Sequence, residues 1–322
     1  MGERGETVAM ESVERTELSH GYWSGRAQEY SDLHERELAS DRGGAFAELV
    51  RRLVEGARDR LAEQGSGRER GAGACASTAG APMVRALDLG CGSGLLSILT
   101  AQAGAVVTGV DFSEEMVARA KVNAERHGVG DRVTFRPADV HKLPFEDEAF
   151  DLVVTRNVTW VLDDVERVYA EALRVLRPGG SFVNIDAAYG QAFAAAEARG
   201  EEPSHPTQTA DQLRTRNAIV ADLPISHVER PAWDIAALKR AGARTVGCNR
   251  RLDETLEGLA RGERTVVGGP VIGPSGIVEG EPALTRLAAA GGSGDPTHDD
   301  GAAYASASVA TRASLFMLLA VK

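Results

Sequence analysis

The sequence predicts a doubly wound α/β sheet, mostly parallel with an antiparallel last strand, plus an N-terminal helical cap. Three observations carry this expectation. Short apolar runs alternate with helical patterns between residues 84 and 187. A glycine-rich turn follows the first of those runs, and an acidic residue stands at or beside the end of each of the first three.

Taken in order, residues 1–17 are polar and acidic and read as frayed. Residues 18 to about 62 are charged with a helical pattern, in which Phe46, Leu49, Val50, Leu53 and Leu61 form one stripe interrupted by Gly56. Residues 63–82 are rich in Gly, Ala, Ser and Arg, as a flexible connection is. Strand-like runs then fall at 84–89, 105–111, 132–137, 150–156 and 180–187, with helical runs at 95–103, 114–127 and 165–176 between them. Ser113 is placed to cap the second of these helices, whose first turn holds Glu114 and Glu115, acids that suit its positive end. Gly128 and the run Arg177-Pro178-Gly179-Gly180 supply stops. Beyond 187 helices are expected at 192–199, 209–220 and 233–241, and strands at 245–249 and 315–321. The stretch 262–310 is heavy in Gly, Pro, Ala and Asp and reads as a loop insertion. The division expected is a tail, cap and linker over 1–82 and one domain over 83–322, with its motif core at 84–187.

Bulk composition narrows the function classes. The chain has 322 residues, 43% of them hydrophobic, enough to bury a core without staples. Lys and Arg number 36 against 47 Asp and Glu, a net charge of −11, which argues against a nucleic-acid partner. Cys75, Cys91 and Cys248 are scattered and form no C-x-x-C pair, so neither a disulfide framework nor a cysteine metal site is expected. Residues 1–17 do not resemble a signal peptide, and no run of 18 apolar residues occurs. No membrane partner and a cytoplasmic setting are the expectation; the oligomeric state is unread.

The run Asp88-Leu89-Gly90-Cys91-Gly92-Ser93-Gly94 holds the chemistry. A strand, a glycine turn and a helix N-terminus present bare backbone N–H groups where side chains would block a ligand. A dinucleotide site would show G-x-G-x-x-G, and the third small residue is missing here; no Lys-Ser or Lys-Thr follows, as a phosphate loop would require. An ordinary ligand-free turn is the remaining plain reading. Asp88 repels a pyrophosphate and suits an ammonium group, which points to S-adenosylmethionine. Asp111, 17 positions beyond Gly94, ends the second strand where a carboxylate can accept both hydroxyls of a ribose. Phe112 and Met116 would flank an adenine, unless they are plain core. Asp139 could accept from the adenine amino group, with the N–H of Val140 serving a ring nitrogen.

With these residues set out, ALDLGCGSG, VTGVDFSEEMVARA, PADVHKLPFEDEAFDLVV and RVLRPGG resemble class I S-adenosylmethionine-dependent methyltransferases, of the small-molecule type that includes the ubiquinone/menaquinone-biosynthesis enzymes. The resemblance covers about a third of the chain closely. It implies a Rossmann-like fold, a small-molecule methyl acceptor, and cofactor contacts from Asp88, Gly90, Cys91, Gly92 and Gly94 (methionine part), Asp111 (ribose), and Asp139 with Val140 (adenine). The segment from Tyr22 to Tyr30 resembles the cap such enzymes fold over the cofactor. Tyr22, Arg26 and Tyr30 recur four apart and so share a helical face, from which Arg26 could pair with the methionine carboxylate, a plain surface helix being the alternative reading.

Transfer from a sulfonium needs mainly orientation and water exclusion, so no nucleophile has to appear. Asn157, at the end of the fourth strand, is expected to contact cofactor or orient substrate, and Trp160 to wall the pocket or belong to the core. The Asn/Asp-Pro-Pro-aromatic pattern of amino-directed DNA methyltransferases fails at both prolines. A metal-dependent catechol-type enzyme would want an acid at this strand end, whereas Asp163 and Asp164 come later and look like a helix start; no metal is expected. Asp186 and His141 are the candidate bases, each with a capping or solvent-exposed role as its alternative. Competing readings are a nicotinamide-dependent oxidoreductase, a non-catalytic S-adenosylmethionine-binding regulatory protein, and an enzyme using the same cofactor for other chemistry.

Overall fold

The computed structural model describes residues 12–69, 82–200, 208–263, 271–273, 276–278 and 313–322. Strands β1 (Arg85–Leu89), β2 (Val106–Asp111), β3 (Val133–Pro137), β4 (Phe150–Arg156) and β5 (Leu176–Asp186) pair in parallel, in the order β3-β2-β1-β4-β5. Strand β6 (Thr245–Asn249) does not touch β5. Between them lies β9 (Phe316–Val321), antiparallel to both. The expected antiparallel last strand is therefore present, in the interior of the sheet. Two short strands, β7 (Val271–Gly273) and β8 (Gly276–Val278), extend the sheet beyond β6 to nine strands among the described residues.

Period-two alternation sorts the strand residues onto two faces. Ala86, Leu152, Val154, Val183 and Ile185 face one hydrophobic cluster; Leu87, Leu89, Val153 and Phe182 face the other. The first face is covered by α3 (Asp41–Glu69), α4 (Leu95–Gln102), α5 (Glu114–Arg126) and α10 (Leu252–Ala260), all of which contribute to its cluster. The second is covered by α6 (Val165–Val175), α8 (Ala210–Ala221) and α9 (Ala232–Arg240). Helix α7 (Tyr189–Ala198) follows β5, and α1 (Ser12–Ser24) and α2 (Ala27–Leu38) precede α3.

Several expectations need correction. Residues 12–17, read as frayed, belong to α1. The cap is two helices, broken at Gly25 and Arg26, where a Cβ on Gly25 would stand 3.1 Å from the Gly21 carbonyl. Helix α3 runs unbroken through Gly56 and on to Glu69, so residues 63–69 are helix, not connection; 70–81 lie outside the described residues. Glycine costs about 1 kcal/mol inside a helix. Burial of Phe46, Leu49, Val50, Leu53 and Val54 against the sheet outweighs it, at roughly 1.5–3 kcal/mol for each such side chain. Helix α10 was not expected. Of the insertion at 262–310, only β7, β8 and residues 262–263 are described, so that reading lies mostly outside them. The Arg177–Gly180 run falls inside β5: Phe150 pairs with Leu176 and Leu152 with Ser181, so the intervening residues are absorbed where the register shifts. The Arg177 guanidinium anchors there on Asp151 at 2.6 Å.

Strand β1 has β2 on one side and β4 on the other, so connections leave it in opposite directions. At such a switch point the loops after the strands part and leave a crevice. The core beneath it rests on α3. Leu49, fully buried, should cost about 2–5 kcal/mol when changed to alanine; urea unfolding of Leu49→Ala beside the parent protein measures this.

Candidate functional site

A cavity of about 900 Å³ lies over the C-terminal ends of β1, β2 and β4. Its floor is the turn after β1, held by the Cys91 N–H on the Val110 carbonyl at 2.9 Å. Gly90 has φ +65°, and a Cβ there would fall 2.6 Å from Val158 Cγ2, so no side chain fits. Gly92 has φ +52° and the opposite surroundings: nothing stands nearer its Cβ position than His34 Cε1 at 3.9 Å. Both residues border the cavity, as does Cys91, whose thiol burial pushes well up. Gly94 does not; it sits behind the turn against Ala120 and Phe135.

Asp88, Asp111 and Asp139, from the ends of three neighbouring strands, all border this one cavity. Asp88 is 1% exposed and accepts from the Ser97 hydroxyl at 2.6 Å. Burial first, and the Asp111 charge beside it, push its carboxyl up to about 7. Asp111 accepts from the Gly92 N–H with one oxygen (2.9 Å) and from the Ser113 N–H with the other (3.0 Å). Burial raises its carboxyl too, against the pull of those N–H groups. Asp139 is at the rim, where burial pushes its carboxyl up but the backbone N–H and ring of His141 together outweigh it and hold it below the usual range. The His141 ring lies between Asp139 (2.8 Å) and Asp163 (3.2 Å) and borders the cavity. Phe112, Met116 and Val140 line the wall, Phe112 with the His20 ring 4.1 Å away, centroid to centroid.

Asn157 has φ +56°, its N–H on the Ile185 carbonyl (2.9 Å) and its own carbonyl accepting from the Trp160 indole (3.0 Å). That bond sets the Trp160 ring as a wall of the cavity. Of the cap residues, Tyr30 borders the cavity, and Tyr22 and Arg26 do not. The three do meet despite the break between α1 and α2, with the Arg26 guanidinium 5.0 Å from the Tyr22 ring centroid and 4.8 Å from that of Tyr30. Glu29 takes Arg26 through two bonds (2.6 and 2.9 Å), and the Tyr22 hydroxyl takes a third (2.7 Å). Arg26 is therefore committed within the cap.

Asp186 is a correction. It is fully buried and does not border the cavity. It accepts from the Thr159 hydroxyl and from the N–H groups of Trp160 (3.1 Å) and Ala187 (2.8 Å), with Arg230 at 3.6 Å. Arg230 in turn donates to Thr159 (2.6 Å) and Asp234 (2.8 Å), and Tyr169 donates to Asp234 (2.6 Å). Burial pushes the Asp186 carboxyl upward against Arg230; burial also opposes the Arg230 charge, which Asp186 and Asp234 nonetheless stabilise. This network fastens the Thr159–Val161 turn, and so Trp160, to the end of β5. Asp186 serves there as an anchor rather than a base.

Among the cavity residues that escaped the sequence reading are His34 and Arg156. His34 lies one helical turn beyond Tyr30, with its Nδ1 2.7 Å from the Ser93 hydroxyl. Burial pushes its ring down to about 4, so it is neutral at physiological pH. Arg156 ends β4 and holds Glu37 through two bonds (2.6 and 3.1 Å), stacked 4.4 Å over Phe46. The four-residue spacing pointed at His34; Arg156 gave no sign beyond its place at a strand end. Among the described residues no group of three or more His, Cys, Asp or Glu is gathered as for a metal ion, and no helix is long and apolar enough to cross a membrane.

Residues 87–184 match the protein family described as "Methyltransferase domain". Over 97 residues the chain is 44% identical to the 27-O-demethylrifamycin SV methyltransferase of Amycolatopsis mediterranei, covering 30% of this chain and 36% of that one. It is 40% identical over 102 residues to a sterol 24-C-methyltransferase of Gibberella zeae, covering 31% and 27%. A ubiquinone biosynthesis O-methyltransferase of Rhizobium leguminosarum is 39% identical over 97 residues, covering 30% and 38%. The match thus spans between about a quarter and two fifths of these relatives' length. Among solved structures, the S-adenosylmethionine-dependent methyltransferase of Mesorhizobium loti is similar at a TM-score of 0.45 and 21% identity, covering 74% of this chain and 91% of that one.

Removing Arg230 would leave Asp186 and Asp234 buried without their cation. Arg230→Met should therefore lose roughly 3–5 kcal/mol of stability, read from its urea midpoint, with Arg230→Lys losing less.

Proposed function

We propose, from the methyltransferase domain formed by residues 87–184, that this chain moves a methyl group from S-adenosylmethionine to a small-molecule acceptor. The observation that carries the reading is the convergence of Asp88, Asp111, Asp139 and the bare turn at Gly90 and Gly92 on one cavity. The residues suit the cofactor. A buried carboxyl held near neutrality at Asp88 is an unfavourable place for an anion and a favourable one for an ammonium group. The unobstructed side of Gly92 admits close approach to the backbone.

S-adenosylmethionine held here would supply an activated methyl group for the acceptor's lone pair, with its sulfur as the leaving group. The chain's part is to bind, orient and exclude water. Asp88 would hold the amino-acid end beside the glycine turn. Asp111 keeps lone pairs for the ribose hydroxyls beyond those engaged by Gly92 and Ser113. Asp139 and Val140 would take the adenine at the rim, with Phe112 and Met116 against its faces. Tyr30, His34 and Arg156 close the site from the cap side and the end of β4, and Asn157 fixes the wall that faces the acceptor. His141 is the predicted base that borders the cavity, its ring held between Asp139 and Asp163.

We take residues 83–322 as the catalytic domain and 1–82 as its tail, cap and linker, and place the protein in the cytoplasm without a nucleic-acid partner. The net charge of −11 and the unpaired, buried Cys91 and Cys248 support that setting.

Calorimetric titration with S-adenosylhomocysteine and with NAD tests the reading. The former should bind and the latter should not; the reverse would replace it with the oxidoreductase. Asp111→Ala should weaken S-adenosylhomocysteine binding by about tenfold or more, the loss of roughly 1.4 kcal/mol of hydrogen bonding to a charged group. Methyl-labelled S-adenosylmethionine given with a fractionated metabolite extract should pass label to a small molecule.

The pH dependence follows from Asp88. Its folded-state carboxyl titrates near 7, above its unfolded value, so the fold without ligand gives up stability as pH climbs from the ordinary carboxylate range through about 7. Binding of an ammonium-bearing ligand needs the ionised form and runs the other way. Affinity for S-adenosylhomocysteine should rise by up to about tenfold between pH 6 and 8, and Asp88→Asn should flatten that rise.

A further inference from the structure

The charged residues bordering the cavity do not surround all of it. Trp23 from α1, Trp160, Val161 and Leu162 from the turn after β4, Ile219 from the end of α8 and Leu223 just beyond it make a contiguous apolar lobe. All six belong to or pack against one hydrophobic cluster, and the rings of Trp23 and Trp160 meet edge to face at 6.1 Å. The lobe begins where the glycine turn ends, because Val158, the residue pressed against Gly90, also borders the cavity and leads into the Thr159–Val161 turn.

This wall offers a ligand little polarity of its own: the Trp23 indole N–H is buried without a partner among the described residues, and the charged Asp163, Asp164 and Arg167 border the cavity only beyond Leu162. The Trp160 N–H is engaged by the Asn157 carbonyl at 3.0 Å. Behind the ring, Asp186 and Arg230 are engaged with each other and with Thr159, and neither borders the cavity. Arg216, the nearby cation on α8, lies 3.8 Å over the Phe193 ring and does not border it either. An ionised group placed in such a lobe would lose its hydration without a partner, whereas hydrocarbon or aromatic surface gains by leaving water. The volume of about 900 Å³ is near the top of the roughly 300–1,000 Å³ usual for small-molecule sites, so a second molecule has room beside the first.

Resting on the methyl-transfer reading, we infer that the acceptor is an uncharged, hydrocarbon-rich or aromatic molecule, seated against Trp160, Val161, Leu162, Ile219 and Leu223. Phosphorylated sugars, nucleotides and free amino acids are outside this class. Specificity is set by the turn after β4 and the end of α8, two segments outside the glycine-turn machinery.

The test uses the full chain saturated with S-adenosylhomocysteine, so that the cofactor part is filled, and two naphthalene probes of similar shape. Neutral N-phenyl-1-naphthylamine should bind with a rise in fluorescence at one per chain, and anionic 1-naphthyl phosphate should not compete with it. Leu162→Asp and the milder Val161→Asn, both at half-buried positions, should each weaken the neutral probe by about tenfold while leaving S-adenosylhomocysteine affinity within about twofold. Binding of S-adenosylhomocysteine with no binding of the neutral probe, or with tighter binding of the phosphate, overturns the acceptor class and leaves the methyl-transfer reading standing. A neutral probe indifferent to both substitutions does the same. Failure of S-adenosylhomocysteine itself to bind overturns the reading beneath and the inference with it. The comparison of the two probes on the unaltered protein decides the matter even if a substitution disturbs folding.

Discussion

One carboxylate joins the two turns on which the site depends. Asp111 takes the Gly92 N–H with one oxygen and the Ser113 N–H with the other, so the bend after β1 and the start of α5 share a single fixed point. Hydrogen bonds to a charged acceptor contribute roughly 1.5–3 kcal/mol each, and here they also give partners to N–H groups that a tight turn leaves without intrahelical ones. The cap locks onto the same point. His34 bonds the Ser93 hydroxyl, and Asn123 on α5 joins the Ser31 hydroxyl of α2 to the Ser93 carbonyl. Ser24 of α1 reaches the Ser113 hydroxyl at 2.9 Å. A turn that would otherwise be soft is thus clamped from three sides, and its ligand-facing N–H groups are preorganised.

The opposite wall is held by a different device. Asp186, Arg230, Asp234, Tyr169, Asn184 and Thr159 form a buried polar network in which most lone pairs and protons find a partner. Such a network gives little stability over an apolar replacement, but it admits one geometry where packed hydrocarbon admits several. Its effect here is to fix Trp160 relative to Asn157. The site is therefore built between two rigid supports, one made around Asp111 and one around Arg230, that share no residue.

The legibility of these parts in the sequence follows from how local they are. Strands β1 to β5 and helices α4 to α6 could be read because short apolar runs, caps such as Ser113 and stops such as Gly128 lie within a few residues of what they control. The three acids could be placed because parallel strands bring their ends to one edge. The split of the cap depends on the fit around Gly25 and gave a weaker sign than the regular spacing of Tyr22, Arg26 and Tyr30. Glu29, three residues from Arg26, was the acid that captured it, an i,i+3 pairing readable in principle. The role of Asp186 could not be read at all, since Arg230 is 44 positions away and nothing local couples them. Helix α10 is short, and its Leu252, Leu256 and Leu259 join the cluster that α3 builds.

Strand β9 has a consequence for how the molecule is made. It is the last strand along the chain and yet fills the gap between β5 and β6, pairing with six residues of one and five of the other. As the polypeptide leaves the ribosome, β5 has to wait with an open edge, and β6 with another, until more than a hundred further residues have followed β5. Open edges of that kind invite pairing with other chains. Sheet closure is thus a late, all-at-once event, and chaperone dependence during synthesis should centre on the interval between the emergence of β5 and that of β9.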